Sequence, residues 1–137
     1  MENGILNSST IPVLEQVINF AQNRHEVLVG NVANMDMPGY QVRDLSVETF
    51  QQRLKDAMAA SQQRHEPMSP GMMASRPGDS LRNVSDSMPS ILYHDGSDVG
   101  IEQQVLQISK NQFMHNLAIS LMTSQFQMLQ TAISERV

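Results

Sequence analysis

The chain has 137 residues, the length of one ordinary domain, with 40% hydrophobic, 17% charged and 4% aromatic residues. A net charge of −5 gives no basic footprint for nucleic acid, and no apolar run approaches the length of a membrane span. With no cysteine there is no disulfide framework, thiolate zinc site or thiol nucleophile, and Met1–Gly4 starts no readable cleavable secretory signal.

The first predicted element is a helix over 11–34. Ser8, Ser9 and Thr10 offer cap oxygens, and Pro12 suits the first turn. Leu14, Ile18, Ala21, His25, Leu28 and Val32 alternate in steps of four and three, the seam spacing of a coiled coil. Val13, Val17, Phe20 and Val27 form a second stripe beside it, so this helix wants more than one neighbour. Asn34 can cap its end. Met37-Pro38-Gly39-Tyr40 carries Pro and Gly where a type II turn needs them.

Residues 35–98 read as a turn, a short helix and a flexible, largely irregular segment. Ser46 can cap an amphipathic stretch whose apolar face is Val47, Phe50, Leu54 and Met58. From 61 to 90 there are seven Ser, four Pro and two Gly, with Leu81 and Val84 almost alone as core formers. Such a stretch buries too little to offset its ordering entropy. A short extended piece is expected at Ser90–Tyr93, and Asp95-Gly96-Ser97-Asp98 reads as a turn.

The last element, predicted over 99–135, carries the strongest pattern. Ile101, Val105, Ile108, Gln112, His115, Ile119, Met122, Phe126, Leu129 and Ile133 hold strict four-three alternation without a Gly or Pro. Leu106, Phe113, Leu117 and Leu121 add a second stripe. Between Gln103 and Ser134 the sole charged residue is Lys110; Gln, Asn, Ser and Thr supply the rest of the polar surface. Charge depletion with retained hydrogen-bonding capacity is what protein–protein interfaces select. The fold expected is therefore mainly α: one domain spanning 1–137, its long terminal helices packed together in coiled-coil fashion around the irregular middle. The two helices are unequal, so surplus seam must find other chains.

No catalytic chemistry is legible. His25, His65, His94 and His115 lie too far apart in sequence for a local metal pair, and Met68, Met72 and Met73 have no His or Cys beside them. His25 and His115 share seam positions, which suits polar register markers better than a metal or pH site across two helices. No catalytic residue, metal or cofactor is expected.

The run Asn31-Val32-Ala33-Asn34-Met35-Asp36-Met37-Pro38-Gly39-Tyr40 resembles the signature that closes the first helix of bacterial flagellar rod, hook and hook-associated proteins, roughly Asn-Ile-Ala-Asn-x-x-Thr-Pro-Gly-Tyr. Met37 stands where that family has Thr, which removes a local hydroxyl bond but leaves the turn to Pro38 and Gly39. Tyr40–Asp44, Asp95–Val99 and Met128–Ile133 also look like proximal rod subunits, although Gly100-Ile101 lacks an acidic cap position. The likeness covers roughly 10–60 and 92–135.

The resemblance implies a non-enzymatic structural subunit of the proximal rod that assembles through its terminal helices and folds as it does so. It implies as partners copies of itself, FlgC-like and further rod proteins, the adaptor FliE, the MS ring and the flagellar type III export apparatus. The implied location is the periplasmic rod of the basal body, reached without a cleavable signal and without membrane insertion. The assembly seam expected is Leu14, Ile18, Leu28, Val32, Ile101, Val105, Ile108, Ile119, Met122, Phe126, Leu129 and Ile133. The signature turn is Asn31, Asn34, Pro38, Gly39 and Tyr40. Phe50 and Leu54 resemble an export-gate motif, Phe-x-x-x-apolar, although the same pair already serves an amphipathic face. The alternatives are the sister subunit FlgC and, of another class, a soluble coiled-coil adaptor or export chaperone.

Overall fold

The computed structural model describes residues 10–63, 81, 84–85, 88–92 and 100–135. The irregular stretch expected over 61–90 falls largely outside these residues. So do the turn at Asp95–Asp98, the caps Ser8 and Ser9, the Met68–Met73 group, and His65 and His94.

The elements in chain order are α1 (Ile11–Asn34), β1 (Arg43–Asp44), α2 (Val47–Gln63), β2 (Ile91–Leu92) and α3 (Ile101–Ser134). Helices α1 and α3 pack along each other; α2 and the strand pair lie on another side of α1. At 1.5 Å per residue α1 is about 36 Å long and α3 about 51 Å.

Local chemistry explains the boundaries. Thr10 precedes α1 without a side-chain cap, Pro12 stands in the first turn, and Leu14 N–H donates to the Thr10 carbonyl at 3.0 Å. At the far end, Asn34 Nδ2 donates back to the Gly30 carbonyl at 2.8 Å. The chain then turns through Met37–Tyr40: Tyr40 N–H donates to the Met37 carbonyl at 3.1 Å, and Gly39 has φ of 78°. That left-handed angle is what the third position of a type II turn requires. Helix α2 opens at Ser46, whose Oγ accepts from Thr49 N–H at 3.1 Å. Gly100 precedes α3 and offers only its carbonyl, to the N–H groups of Gln103 and Gln104.

The apolar core sits between α1, α2 and the middle of the chain. Phe20, Leu45, Phe50, Ala57, Leu81 and Val84 are buried together, with Val17, Val27, Val47, Leu54, Met88 and Met114 against them. The rings of Phe20 and Phe50 stack with centroids 4.0 Å apart and planes 8° from parallel. The second apolar stripe of α1 thus meets α2. Met58, expected on the inner face of α2, is exposed, and Ala57 occupies that place. Leu81, Val84 and Ser85 return to α1, where Gln16 Oε1 accepts from Ser85 N–H at 3.3 Å and Ser85 Oγ at 3.2 Å. The extended piece pairs antiparallel with β1, Arg43 opposite Leu92 and Asp44 opposite Ile91.

A buried polar network joins α1, the chain leaving it, and α3. Asn31 is fully buried. Its Nδ2 donates to the Arg43 carbonyl at 2.6 Å and to Gln104 Oε1 at 3.2 Å. Its Oδ1 accepts from Tyr40 O–H and Arg43 N–H, each at 3.1 Å. About two turns earlier, Arg24 forms a two-pronged pair with Asp44, Nε to Oδ1 and Nη2 to Oδ2, both at 2.8 Å, and Nη2 also donates to Gln107 Oε1 at 3.1 Å. Asp44 Oδ1 accepts from Leu45 N–H at 2.7 Å. Planar, charge-assisted pairs of this kind fix geometry as well as energy.

Arg24 and Asp44 are nearly sealed from solvent, so removing Asp44 takes the paired carboxylate from a buried guanidinium. Asp44→Ala should cost about 3–5 kcal/mol, read as a lowered urea midpoint. The double change Arg24→Met with Asp44→Leu should recover much of that loss. Phe20→Ala, which empties the ring stack, should cost a similar ~3–5 kcal/mol.

Candidate assembly surface

Three hydrogen bonds set how α3 lies on α1: Asn31 to Gln104, Arg24 to Gln107, and Asn111 Nδ2 to the Ala21 carbonyl at 2.7 Å. The pairing is antiparallel, and it determines which line of α3 faces inward. The buried residues of α3 are Gln104, Asn111 and Ala118, seven apart, with Ile108, His115, Met122, Gln125 and Leu129 partly buried between and beyond them. On α1 the facing line is Ala21, Arg24, Leu28 and Asn31.

The inward line of α3 is therefore polar and small at every second step. Two buried atoms on it, Asn111 Oδ1 and His115 Nε2, have no hydrogen-bond partner among the described residues. Each such atom costs on the order of 1–3 kcal/mol. An apolar line against α1 would hold the pair more tightly, and α3 possesses one that it does not turn inward.

At 3.6 residues per turn, about 100° per residue, Ile101, Val105, Ile119 and Phe126 lie roughly 60–120° to one side of the inward line. Leu106, Phe113, Leu117, Leu121 and Met128 lie roughly 80–160° to the other. All nine are exposed, Phe113 at 70% and Phe126 at 52%. A narrow uncharged strip of Ser109, Asn116, Ser120 and Gln127 separates the two apolar flanks on the far side. Hydroxyls on or near it bond to the helix itself: Ser109 to the Val105 carbonyl, Thr123 to Ile119 and Thr131 to Gln127, each at 2.9 Å. They need no partner from outside. A helix apolar on so many sides belongs inside something larger than one chain.

The length mismatch adds to this surface. By the same pairing Ile11, the first residue of α1, lies level with residues near 122. The last dozen residues of α3 extend about 18 Å past it, carrying Leu129 and the 71% exposed Ile133.

The structure divides the expected seam. Leu28 is buried against α3; Leu14, Ile18, Val32, Ile108, Met122 and Leu129 are partly buried; Ile101, Val105, Ile119, Phe126 and Ile133 are exposed. Of the signature residues, Asn31 is the buried hub, Tyr40 and Asn34 are partly buried and bonded to α1, and Pro38 and Gly39 are exposed at the turn. Phe50 is buried and Leu54 partly buried, both in the core. His25 lies level with residues near 108 and His115 near Val17 to Phe20, roughly 10 Å apart along the axis, so the two do not pair.

Sequence reasoning passed over Arg24 and Asp44, and it set Gln104, Gln107 and Asn111 on the outer polar face of the last helix, whereas they turn inward and bond to α1. A signal for them exists: Arg24 and Asn31 are seven apart, as are Gln104 and Asn111. A heptad-spaced polar ladder on each of two helices marks a mutual seam. Among the described residues no group of three or more His, Cys, Asp or Glu could hold a metal ion. No described helix is long and apolar enough to cross a membrane.

The inward and outward apolar residues should separate cleanly on mutation. Leu28→Ala should cost about 2–5 kcal/mol, whereas Phe113→Ser should leave monomer stability within about 0.5 kcal/mol. Thermal unfolding of dilute protein measures both.

No protein-family model matches the chain. It is similar to the flagellar basal body rod protein FlgB of Salmonella typhimurium, 28% identical over 121 residues spanning 81% of this chain and 83% of that protein. It is 27% identical to FlgB of Escherichia coli K12 over 117 residues with the same coverage. FlgB of Bacillus subtilis is 23% identical over 131 residues, 94% of this chain and 96% of the relative. Likeness to relatives that share one name over most of the chain joins the signature turn and the exposed helical flanks: the chain is similar to the flagellar basal body rod proteins named FlgB.

Proposed function

We propose that the chain is a structural, non-enzymatic subunit of the proximal rod of the bacterial flagellar basal body. It self-assembles through its terminal helices and is required for building the flagellum and for swimming. The observation that carries this reading is the arrangement of α3, which turns its polar line toward its own chain and keeps two apolar flanks outward. A self-contained adaptor or chaperone would do the opposite. Its neighbours in this reading are copies of itself, FlgC-like and further rod subunits, FliE and the MS ring.

The seam residues Ile101, Val105, Ile119, Phe126 and Ile133 serve these neighbours, while Leu28, Ile108 and Met122 serve the internal hairpin. The turn from Asn34 to Tyr40 sets where the chain leaves the helical layer. The subunit reaches the periplasmic rod through the type III export apparatus. Phe50 is stacked on Phe20 in the folded chain, so a reading of Phe50 and Leu54 by that apparatus precedes folding.

Phe126→Asp tests the reading. The residue is half exposed, so the purified variant should unfold at the same temperature as the parent. In a cell whose own FlgB is deleted, the parent chain should restore rods and swimming, and the variant should not. An unpaired carboxylate in an assembled apolar contact accounts for the loss. Swimming restored equally by both chains would contradict the proposal.

A further inference from the structure

The chain has eleven Met and no Cys, so thioethers are its only oxidisable sulfur. Helix α3 carries three of them. Met114 packs against the core and Met122 is partly buried, whereas Met128 is exposed at 55%. Met128 also lies past the start of α1, where the partner helix no longer runs beside it. We propose that Met128 is a site of reversible oxidation to methionine sulfoxide, and that the sulfoxide closes this flank of α3 to neighbours. The proposal rests on the rod reading and adds a chemical control to it.

The step needs only a peroxide. The Met128 sulfur attacks one peroxide oxygen, and an S–O bond forms as the O–O bond breaks. The departing hydroxide takes the proton left on the transferred oxygen and leaves as water. Sulfur loses two electrons and the peroxide gains them. Thiol-dependent sulfoxide reductases run the reverse, giving back the thioether and water while two thiols join as a disulfide.

The consequence follows from the surroundings. Leu121 and Leu117, both exposed, lie on the same side of the helix two and three turns earlier. Between Gln103 and Ser134 the sole charge is Lys110. The Thr131 hydroxyl, one turn on, already donates to the Gln127 carbonyl at 2.9 Å. A sulfoxide oxygen is a strong acceptor, and on this flank it meets mostly carbon. Covering an unpaired acceptor of that kind weakens an association roughly tenfold or more.

Met37 and Met58 are exposed too, on the exit turn and on α2, so they separate oxidation from its consequence. Purified chain is treated with hydrogen peroxide and the sulfoxides are located by peptide mass spectrometry. Met128, Met37 and Met58 should react roughly fivefold or more faster than Met88 and Met114, which the core covers. The thermal unfolding temperature of the product should not move.

The second arm uses a host deleted for its own FlgB. Met128→Gln sets a carbonyl near the place of the sulfoxide oxygen. It should unfold with the parent yet lower the swimming fraction roughly tenfold, whereas Met58→Gln should not. A peroxide pulse before flagella regrow should delay cells carrying the parent chain. Met128→Leu, apolar but without sulfur, should shorten that delay relative to its own untreated cells. Sulfoxide forming at Met128 no faster than at Met114 would overturn the site. Full swimming by Met128→Gln, or an undiminished delay with Met128→Leu, would overturn the control. A parent chain that leaves the host immotile would instead contradict the rod reading, and the sulfoxide map, which needs no rod, still decides the site.

Discussion

The side-chain amide of Asn31 is the constraint on which the rest depends. It is fully buried, and its Nδ2 and Oδ1 bond to Arg43, Tyr40 and Gln104. These partners lie on the chain leaving α1 and on α3, far apart in sequence. A buried amide left without partners is expensive, so satisfying it pins the exit turn and the register of α3 in one step. Arg24 repeats the arrangement seven residues earlier, with Asp44 from the exit segment and Gln107 from α3. Asn111 extends it to the Ala21 carbonyl.

This polar seam explains an inversion. An isolated amphipathic helix hides its apolar side; α3 hides Gln104, Asn111 and Ala118 and displays Val105, Phe113 and Phe126. Because the polar groups find partners only on α1, they hold α3 in one rotation and keep the apolar flanks outward. The hairpin loses stability by this choice, most plainly at Asn111 Oδ1 and His115 Nε2. What it retains is surface for neighbours. The core that keeps the chain folded lies elsewhere, around Phe20 and Phe50.

Much of the fold was legible in the sequence. The four-three spacing gave both long helices, Pro38 and Gly39 gave the turn, and Ser46 the start of α2. The two stripes of α3 were visible too, together with its lack of charge. What was hidden was which line of α3 would face α1. Apolar periodicity points to Val105, Ile119 and Phe126, and it cannot tell an internal seam from one meant for another chain. The decision lay with the polar residues, whose pairing across more than seventy positions leaves only a weak heptad spacing. The strand Arg43–Asp44 was too short to show alternation. Leu81 and Val84 stand out as apolar in a Ser- and Pro-rich stretch, yet nothing local says that they return to α1.

The central claim is that the chain folds around a polar α1–α3 seam while α3 beyond it waits for neighbours. Hydrogen–deuterium exchange on dilute, unassembled protein, resolved along the sequence, tests it most directly. The account predicts slow exchange from Phe20 to Asn31 and from Gln104 to Ala118, and fast exchange from Ser124 to Ser134, where α3 passes the start of α1. Slow exchange through Ser134 in the monomer, or fast exchange across Gln104–Ala118, would contradict it.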